Sequence, residues 1–334
     1  MRTQLPVSEP LAGGYHFYAF PLAIMGTDER AKDWILSNYI HLAHDPDPET
    51  SVPFCFYLYD YAISPWLDVV RNTRDWLRAM GTDPVEFCRA AVHAGYYVYL
   101  NLDDYFIPSR PGHQVRHGSH DLLICGADDE RSVFTSFGYT KNDVMRRAEL
   151  TFDELRQGYL SLDTVPNDCP QVYLYRPDKD ADYTFNFSLV RRSFEDYLDA
   201  ANVSEQFDMF RVPWERSYGI ACYPPLQRYL TDYTEGNTEG DIRYLHILWE
   251  HKRLMTLRTE RMAELLGGDF AVLADEARGL EKQAFRLRNK MFFREAAGRA
   301  SEFGGAEIEQ LDHMRSTEQR LLEQAVARLR AAVR

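Results

Sequence analysis

Residues Gly95 to Tyr139 read GYYVYLNLDDYFIPSRPGHQVRHGSHDLLICGADDERSVFTSFGY. Tyr96, Val98 and Leu100 alternate with Tyr97, Tyr99 and Asn101, the period of a strand. HDLLICGADDERSVFTSF is an apolar run, a Gly-Ala-Asp-Asp turn and a second run, so the stretch predicts three strands, the last two as a hairpin. The polar insert between the first two strands holds His113, His117 and His120 within eight positions. Imidazoles exchange protons near neutral pH, and His120 opens a strand beside Asp121, so chemistry is expected here.

The chain of 334 residues is 45% hydrophobic and 13% aromatic, enough to bury a large core. Its start, MRTQLPVSEPLAGG, has no cationic region followed by an apolar one, and no segment approaches the ~18 uninterrupted apolar residues of a membrane helix. A cytoplasmic protein without membrane contact is expected. Five scattered cysteines, Cys55, Cys88, Cys125, Cys169 and Cys222, form no Cys-x-x-Cys pair, which argues against a zinc knuckle and a disulfide framework. A net charge of -13 disfavours nucleic acid as a partner.

Along the chain, residues 15–43 predict mostly helix, with Trp34, Ile35, Tyr39 and Leu42 on one side, ended by the His44-Asp-Pro-Asp-Pro48 loop. Pro53 to Tyr61 predicts an aromatic strand, and Ser64-Pro65-Trp66 a helix start. Asp83-Pro84-Val85-Glu86 announces a helix by its cap, its preset φ and its acid at the positive end, running to His93-Ala94-Gly95. After the charged Lys141-Asn-Asp143 turn, Thr151-Phe-Asp-Glu154 is a capping box opening a helix to about Leu160. A loop from Asp163 to Pro170 precedes a strand at Gln171 to Arg176, a strand or helix entry at Tyr183 to Val190 and a helix at Ser193 to Ala200. From Asp241, helical spacing without Gly or Pro predicts a long helix, and Gly267-Gly268 and Gly304-Gly305 divide the remainder into two more. The expected division is a mixed α/β domain at 1–165, an α/β extension at 166–240 and a helical unit at 241–334.

The strand opened by His120, its LLICG run, the Ala127-Asp128-Asp129 turn and the return from Val133 to Gly138 resemble the sheet half of papain-like bacterial enzymes. The double-glycine leader peptidases and the acyltransferases similar to butirosin biosynthesis protein H carry such an arrangement. The resemblance covers roughly residues 10 to 165 and implies an α+β fold: a papain-like domain with an antiparallel sheet, followed by the helical unit. It implies a catalytic role for His120. Asp103 and Asp104, at the end of the preceding strand, read either as groups that orient an imidazole or bind an ammonium group or as residues that only end the strand. Those families place a nucleophilic Cys at the start of an early helix. Here Gly13-Gly14-Tyr15-His16-Phe17-Tyr18 stands in that position and the first Cys is Cys55. The return strand has Thr135, Ser136 and Gly138 where an orienting Asp or Asn falls in the families. His16 is therefore read either as a second catalytic imidazole facing His120 or as one more ring among Tyr15, Phe17 and Tyr18. Tyr15, Tyr18, Tyr105 and His117 are expected to line the substrate cleft.

Other groups read less sharply. Cys125 lies on the His120 strand at odd spacing, so its side chain faces away, and Cys55 has no supporting neighbours. His41, His44 and Asp45 read as a metal cluster or as a solvated helix end. His246 and Glu250 share a helix face, without the His-Glu-x-x-His spacing of a zinc protease. Neither a metal nor a cofactor is expected. From Arg278 to Arg299, seven basic residues face two acids on an otherwise acidic chain. Arg286, Lys290 and Arg294 thus suggest a dock for an acidic partner, either a carrier protein or a biosynthetic enzyme.

The reading assembled from these features is a natural-product biosynthesis protein. It acts on an amino-acid-derived acyl group held on a carrier protein, by acyl transfer or intramolecular cyclisation. The alternative is a catalytically inert papain-like relative that binds a carrier or partner enzyme.

Overall fold

The computed structural model describes residues 1–332 apart from Pro48, Asp143 and 299–302. In chain order the elements are β1 (Arg2–Gln4), α1 (His16–Met25), α2 (Ala31–Asn38), β2 (Leu42–His44), β3 (Phe54–Phe56), β4 (Leu67–Thr73), α3 (Arg74–Ala79) and α4 (Pro84–His93). There follow β5 (Tyr97–Asp103), β6 (Ser119–Asp128), β7 (Val133–Tyr139), β8 (Met145–Thr151), α5 (Phe152–Ser161), β9 (Gln171–Pro177) and α6 (Phe187–Leu198). The chain continues through β10 (Ser217–Tyr218), α7 (Tyr223–Glu235), α8 (Arg243–Leu266), α9 (Phe270–Ala296) and α10 (Gly305–Ala332). The fold is mixed α+β, with antiparallel sheets and a helical C-terminal part.

Two compact units divide the chain in space: Met1–Ala31 with Tyr61–Tyr183, and Lys32–Asp60 with Thr184–Arg334. In the first, strands lie in the order β4-β9-β5-β6-β7-β8, with β1 added to β6, and every pairing is antiparallel. Every residue of β5 is buried, so both faces of the sheet are covered. Val98, Leu100 and Leu102 join Leu122, Ile124, Phe134, Val92 and Leu155 in one core beneath α4 and α5. Tyr99 points the other way and meets Phe20 of α1 edge-on at 5.4 Å. α1 itself is apolar on all sides and nearly wholly buried, which lets a helix carrying Pro21 persist inside the unit.

Local signals account for much of this. Asp83 accepts the amides of Val85 and Glu86, and the Thr151–Glu154 capping box is formed in both directions. The three strands expected between Gly95 and Tyr139 are β5, β6 and β7. One expectation is corrected: Ser64-Pro65-Trp66 opens no helix. Chain 67–73, LDVVRNT, is β4, because its β-branched pair finds a full ladder with β9 from Leu67↔Pro177 to Thr73↔Gln171. The stretch 15–43 holds two short helices and then β2, which pairs with β3.

The second unit has a small β10-β2-β3 sheet and the helices α8, α9 and α10. None of the described helices is long and apolar enough to cross a membrane. At its centre lies a polar network without solvent contact. Lys252 Nζ donates to Glu318 Oε1 at 2.5 Å and to His251 Nδ1 at 3.1 Å. The hydroxyls of Tyr223 and Tyr197 donate to Glu318 Oε2 at 2.9 and 3.3 Å. Arg258, fully buried, gives its donors to the carbonyls of Leu36 and Tyr39 at the C-terminal end of α2, where the helix dipole is negative. Burial lowers the Arg258 pKa to about 9.

Two outcomes follow from this unit. Glu318→Leu alone leaves Lys252 buried without its counter-charge and is expected to cost about 3–5 kcal/mol in urea unfolding, whereas adding Lys252→Met recovers part of that loss; strictly additive costs would disprove the coupling. Burial also lowers the pKa of His44 to about 4. The unfolded imidazole takes its proton near pH ~6.5, so between there and pH ~4 the unfolded chain binds more protons and stability falls with falling pH. His44→Gln is expected to flatten that slope in melting curves collected across the window, and an unchanged slope would remove His44 from the account.

Candidate active site

The N-terminus of α1, the end of β5, the start of β6 and the end of β7 meet in the first unit. The register sets Asn101 against Asp121 and Leu102 against His120. Asp121 therefore projects beside Tyr99 toward α1. There its carboxylate accepts from two side chains and has a second imidazole beside it. His16 Nδ1 lies 3.2 Å and His120 Nδ1 3.3 Å from Oδ1, and the Tyr99 hydroxyl donates to Oδ2 at 3.0 Å. Burial by itself would raise the Asp121 pKa, but the two imidazoles and the Tyr99 hydroxyl outweigh it and hold the carboxyl well below the usual range.

The two imidazoles differ in what remains free. His16 is 5% exposed, stacks on Phe20 at 4.6 Å, and accepts the Tyr139 backbone N–H on Nε2 at 3.1 Å. An accepting Nε2 leaves the ring proton on Nδ1, facing Asp121, so both nitrogens are engaged. A Cβ at Gly138 would meet His16 Nε2 at an ordinary 3.5 Å but Arg110 Nη2 at a tighter 3.3 Å, so glycine eases the approach of the guanidinium. His120 meets His16 edge-on at 5.2 Å, and its side chain is 43% exposed. Its Nδ1 also reaches the Asp121 carbonyl at 3.2 Å, and Nε2 has no hydrogen bond among the described residues. Desolvation in this crowded corner lowers the His120 pKa first, and the Arg110 guanidinium lowers it further, against the pull of Asp121. The outcome is an imidazole with an available lone pair at neutral pH.

Arg110 is the residue the sequence did not single out. It is 3% exposed, donates to the carbonyls of Tyr139, at 2.6 Å, and Asp121, and lies 3.7 Å from Asp104. It ties the polar insert to both strands. Its only signal was a lone cation in Ser109-Arg110-Pro111, which pattern reading does not separate from a solvated arginine. Burial raises the Asp104 pKa, opposed by His120 and Arg110. Asp103, fully buried, stands in a second knot. It accepts from the amides of Tyr105 and Gly118, from Ser161 Oγ and from His117 Nδ1, the last two at 2.6 Å. His117, stacked on Tyr105 at 4.3 Å, is thus held by Asp103, whereas Asp121 holds His120. Tyr18 is fully enclosed and Tyr15 9% exposed, packed around Phe17, so in this conformation they offer little surface to a ligand.

The remaining candidates sit elsewhere. Cys125 is buried and its thiol is pushed up to about 11, and Cys55 is buried in β3 of the other unit. His246 Nε2 meets Glu250 at 3.0 Å, and its Nδ1 accepts from Arg288 at 2.9 Å. On α9, Lys290 and Arg294 both face the buried Glu307, and Arg278 pairs with Glu260 and Asp275. Arg286 has no ion pair among the described residues and stands near the exposed Phe285, Phe292 and Phe293. Arg299, the last residue of that basic stretch, lies outside the described residues, as do Pro48 and Asp143.

His16, His120 and Asp121 also bring three potential metal-ligand atoms within 4.8 Å of one another. A cation on His16 Nδ1 would need the ring proton on Nε2, pointed at the Tyr139 N–H. The observed hydrogen bond suits the metal-free arrangement, with Asp121 as shared acceptor. Compared with models of known protein families and with curated proteins, the chain matches none.

The charges around His120 predict how it titrates. Asp121→Asn removes a group that raises its pKa and is expected to lower it further, whereas Arg110→Met removes a cation and raises it. Imidazole resonances followed by NMR across pH check both signs, and a fall in Arg110→Met would invalidate the assigned environment.

Proposed function

We propose that His120 is the general base and acid of an acyl-transfer site built on a papain-like arrangement of helix, strand and returning strand. The observation that carries this reading is the placement of His120: its Nδ1 is held by the Asp121 backbone carbonyl at 3.2 Å with the Asp121 carboxylate 3.3 Å away, and among the described residues Nε2 is unengaged on a ring that is 43% exposed. Such an imidazole takes a proton from an attacking amine and returns it to the leaving group. With His16 at the start of α1 held through both nitrogens, the chain offers no thiol there, so acyl transfer would be direct. The amine of an amino-acid-derived substrate gives its proton to His120 Nε2 and attacks the carbonyl of a carrier-bound thioester. The C–N bond forms, the C–S bond breaks, and the carrier thiol leaves with the proton. An amine within the same acyl chain gives cyclisation by the same step.

An acidic carrier would be met by the exposed aromatic and basic face of α9, centred on Arg286 with Phe285, Phe292 and Phe293. A second reading is a binding relative without catalysis, favoured by the locked state of His16. The proposed protein is cytoplasmic, with a carrier or biosynthetic enzyme as partner. The test uses an aminoacyl thioester on an acidic carrier together with an amine acceptor. His120→Ala is expected to lower the aminolysis rate by about 10²–10⁴-fold while leaving the melting temperature and carrier affinity nearly unchanged. Arg286→Glu is expected to weaken carrier binding, more so at low salt. Unaltered turnover in His120→Ala with carrier binding retained would favour the binding relative.

A further inference from the structure

We propose that Thr3, His93 and Asp129 form a second reactive centre, a nucleophile, base and orienting acid whose chain neighbours Leu5 and Ala94 line a 760 Å³ cavity, and that it takes esters of apolar acyl groups. His93 Nε2 lies 3.1 and 3.2 Å from the two carboxylate oxygens of Asp129, so the ring proton sits on Nε2. Nδ1 is left as an acceptor, and Thr3 Oγ1 stands 2.9 Å from it. The threonine hydroxyl therefore points its proton at a base whose other nitrogen is held by a carboxylate, the order of parts a nucleophilic site requires.

The surrounding fold fixes each part. His93 is the last residue of α4, so the helix end sets the position of its ring. Arg89, one turn earlier on α4, donates to Asp129 at 2.9 Å and anchors the carboxylate against the ring. Thr3 lies in β1, paired with Ala127 of β6.

The cavity is lined by residues next along the chain from this group. Leu5 follows Thr3 by two residues on the same side of an extended chain, ~7 Å on, and Ala94 follows His93; both line the cavity. Ile24, Met25, Trp66 and Tyr97 give it apolar walls. It sits at the C-terminal end of α1, about 13 Å along that helix from His16, so it is separate from the His120 site.

In the reaction, Thr3 Oγ attacks the ester carbonyl and its proton passes to His93 Nδ1. The acyl C–O bond breaks and the alcohol departs with that proton, leaving a threonyl ester. Water, deprotonated by the same nitrogen, hydrolyses it. The purified full-length protein is incubated with p-nitrophenyl acetate and p-nitrophenyl hexanoate. Nitrophenolate release is followed, and the peptide bearing Thr3 is weighed. The expected result is a burst with an acyl group on Thr3, absent in Thr3→Val, at least about tenfold slower in His93→Gln and Asp129→Asn, and preserved in Thr3→Ser. His120→Ala is expected to keep the burst, which separates this centre from the proposed carrier chemistry. An unlabelled Thr3, or labelling indifferent to His93→Gln, overturns the proposal. A lower melting temperature in Thr3→Val with no label on Thr3→Ser does so as well, because the cluster would then only anchor β1.

Discussion

The Asp121 carboxylate is the contact on which the first unit's polar corner depends. One side chain accepts from α1 through His16 and from β5 through Tyr99, while His120 of its own strand lies 3.3 Å from it. A largely enclosed carboxylate without donors would be costly, and this one is satisfied by His16 and Tyr99. Because His16 also accepts the Tyr139 amide, the same hydrogen-bond chain reaches β7. Arg110 closes it by donating to the carbonyls of Asp121 and Tyr139. The corner is fixed by hydrogen bonds to specific atoms, while the central strand β5 is held by burial on both faces.

That constraint sorts the two imidazoles into different roles. Burial and two filled nitrogens make His16 a brace, although it stands at the helix start where a reactive group is expected. Partial exposure and a free Nε2 make His120 the group able to exchange protons with a ligand. The pairing of Asp103 with His117 repeats the theme in the polar insert, with a buried acid holding a half-exposed ring. The insert therefore presents two oriented imidazoles, each held through Nδ1.

The helical unit meets the same cost of buried charge differently. Lys252 and Glu318 neutralise each other and spend their remaining hydrogen bonds on His251, Tyr197 and Tyr223. Among the described residues Arg258 has no ion pair and relies on helix-end carbonyls, whose partial charge is smaller, in keeping with its depressed pKa. Glu307 likewise draws Lys290 and Arg294 toward the body of the unit, so a helix that is basic in sequence exposes less unpaired charge than its composition suggests.

Local chemistry alone determined the three strands of 95–139, the Asp83 cap, the Thr151 capping box and the three long C-terminal helices, because period, caps and glycine breaks act within a few residues. The clustering of imidazoles in and beside the polar insert was legible for the same reason. What needed the tertiary structure was everything that depends on partners far apart in the chain. LDVVRNT became a strand only because β9, some 100 residues later, offered it a ladder. Asp121 was visible as a neighbour of His120, but its role as shared acceptor required His16 and Tyr99 to arrive from other elements. Arg110 carried no pattern at all, since burial of a single cation is decided by the carbonyls that surround it. The Thr3–His93–Asp129 group spans β1, α4 and the turn after β6, and only their packing places a hydroxyl, an imidazole and a carboxylate in line.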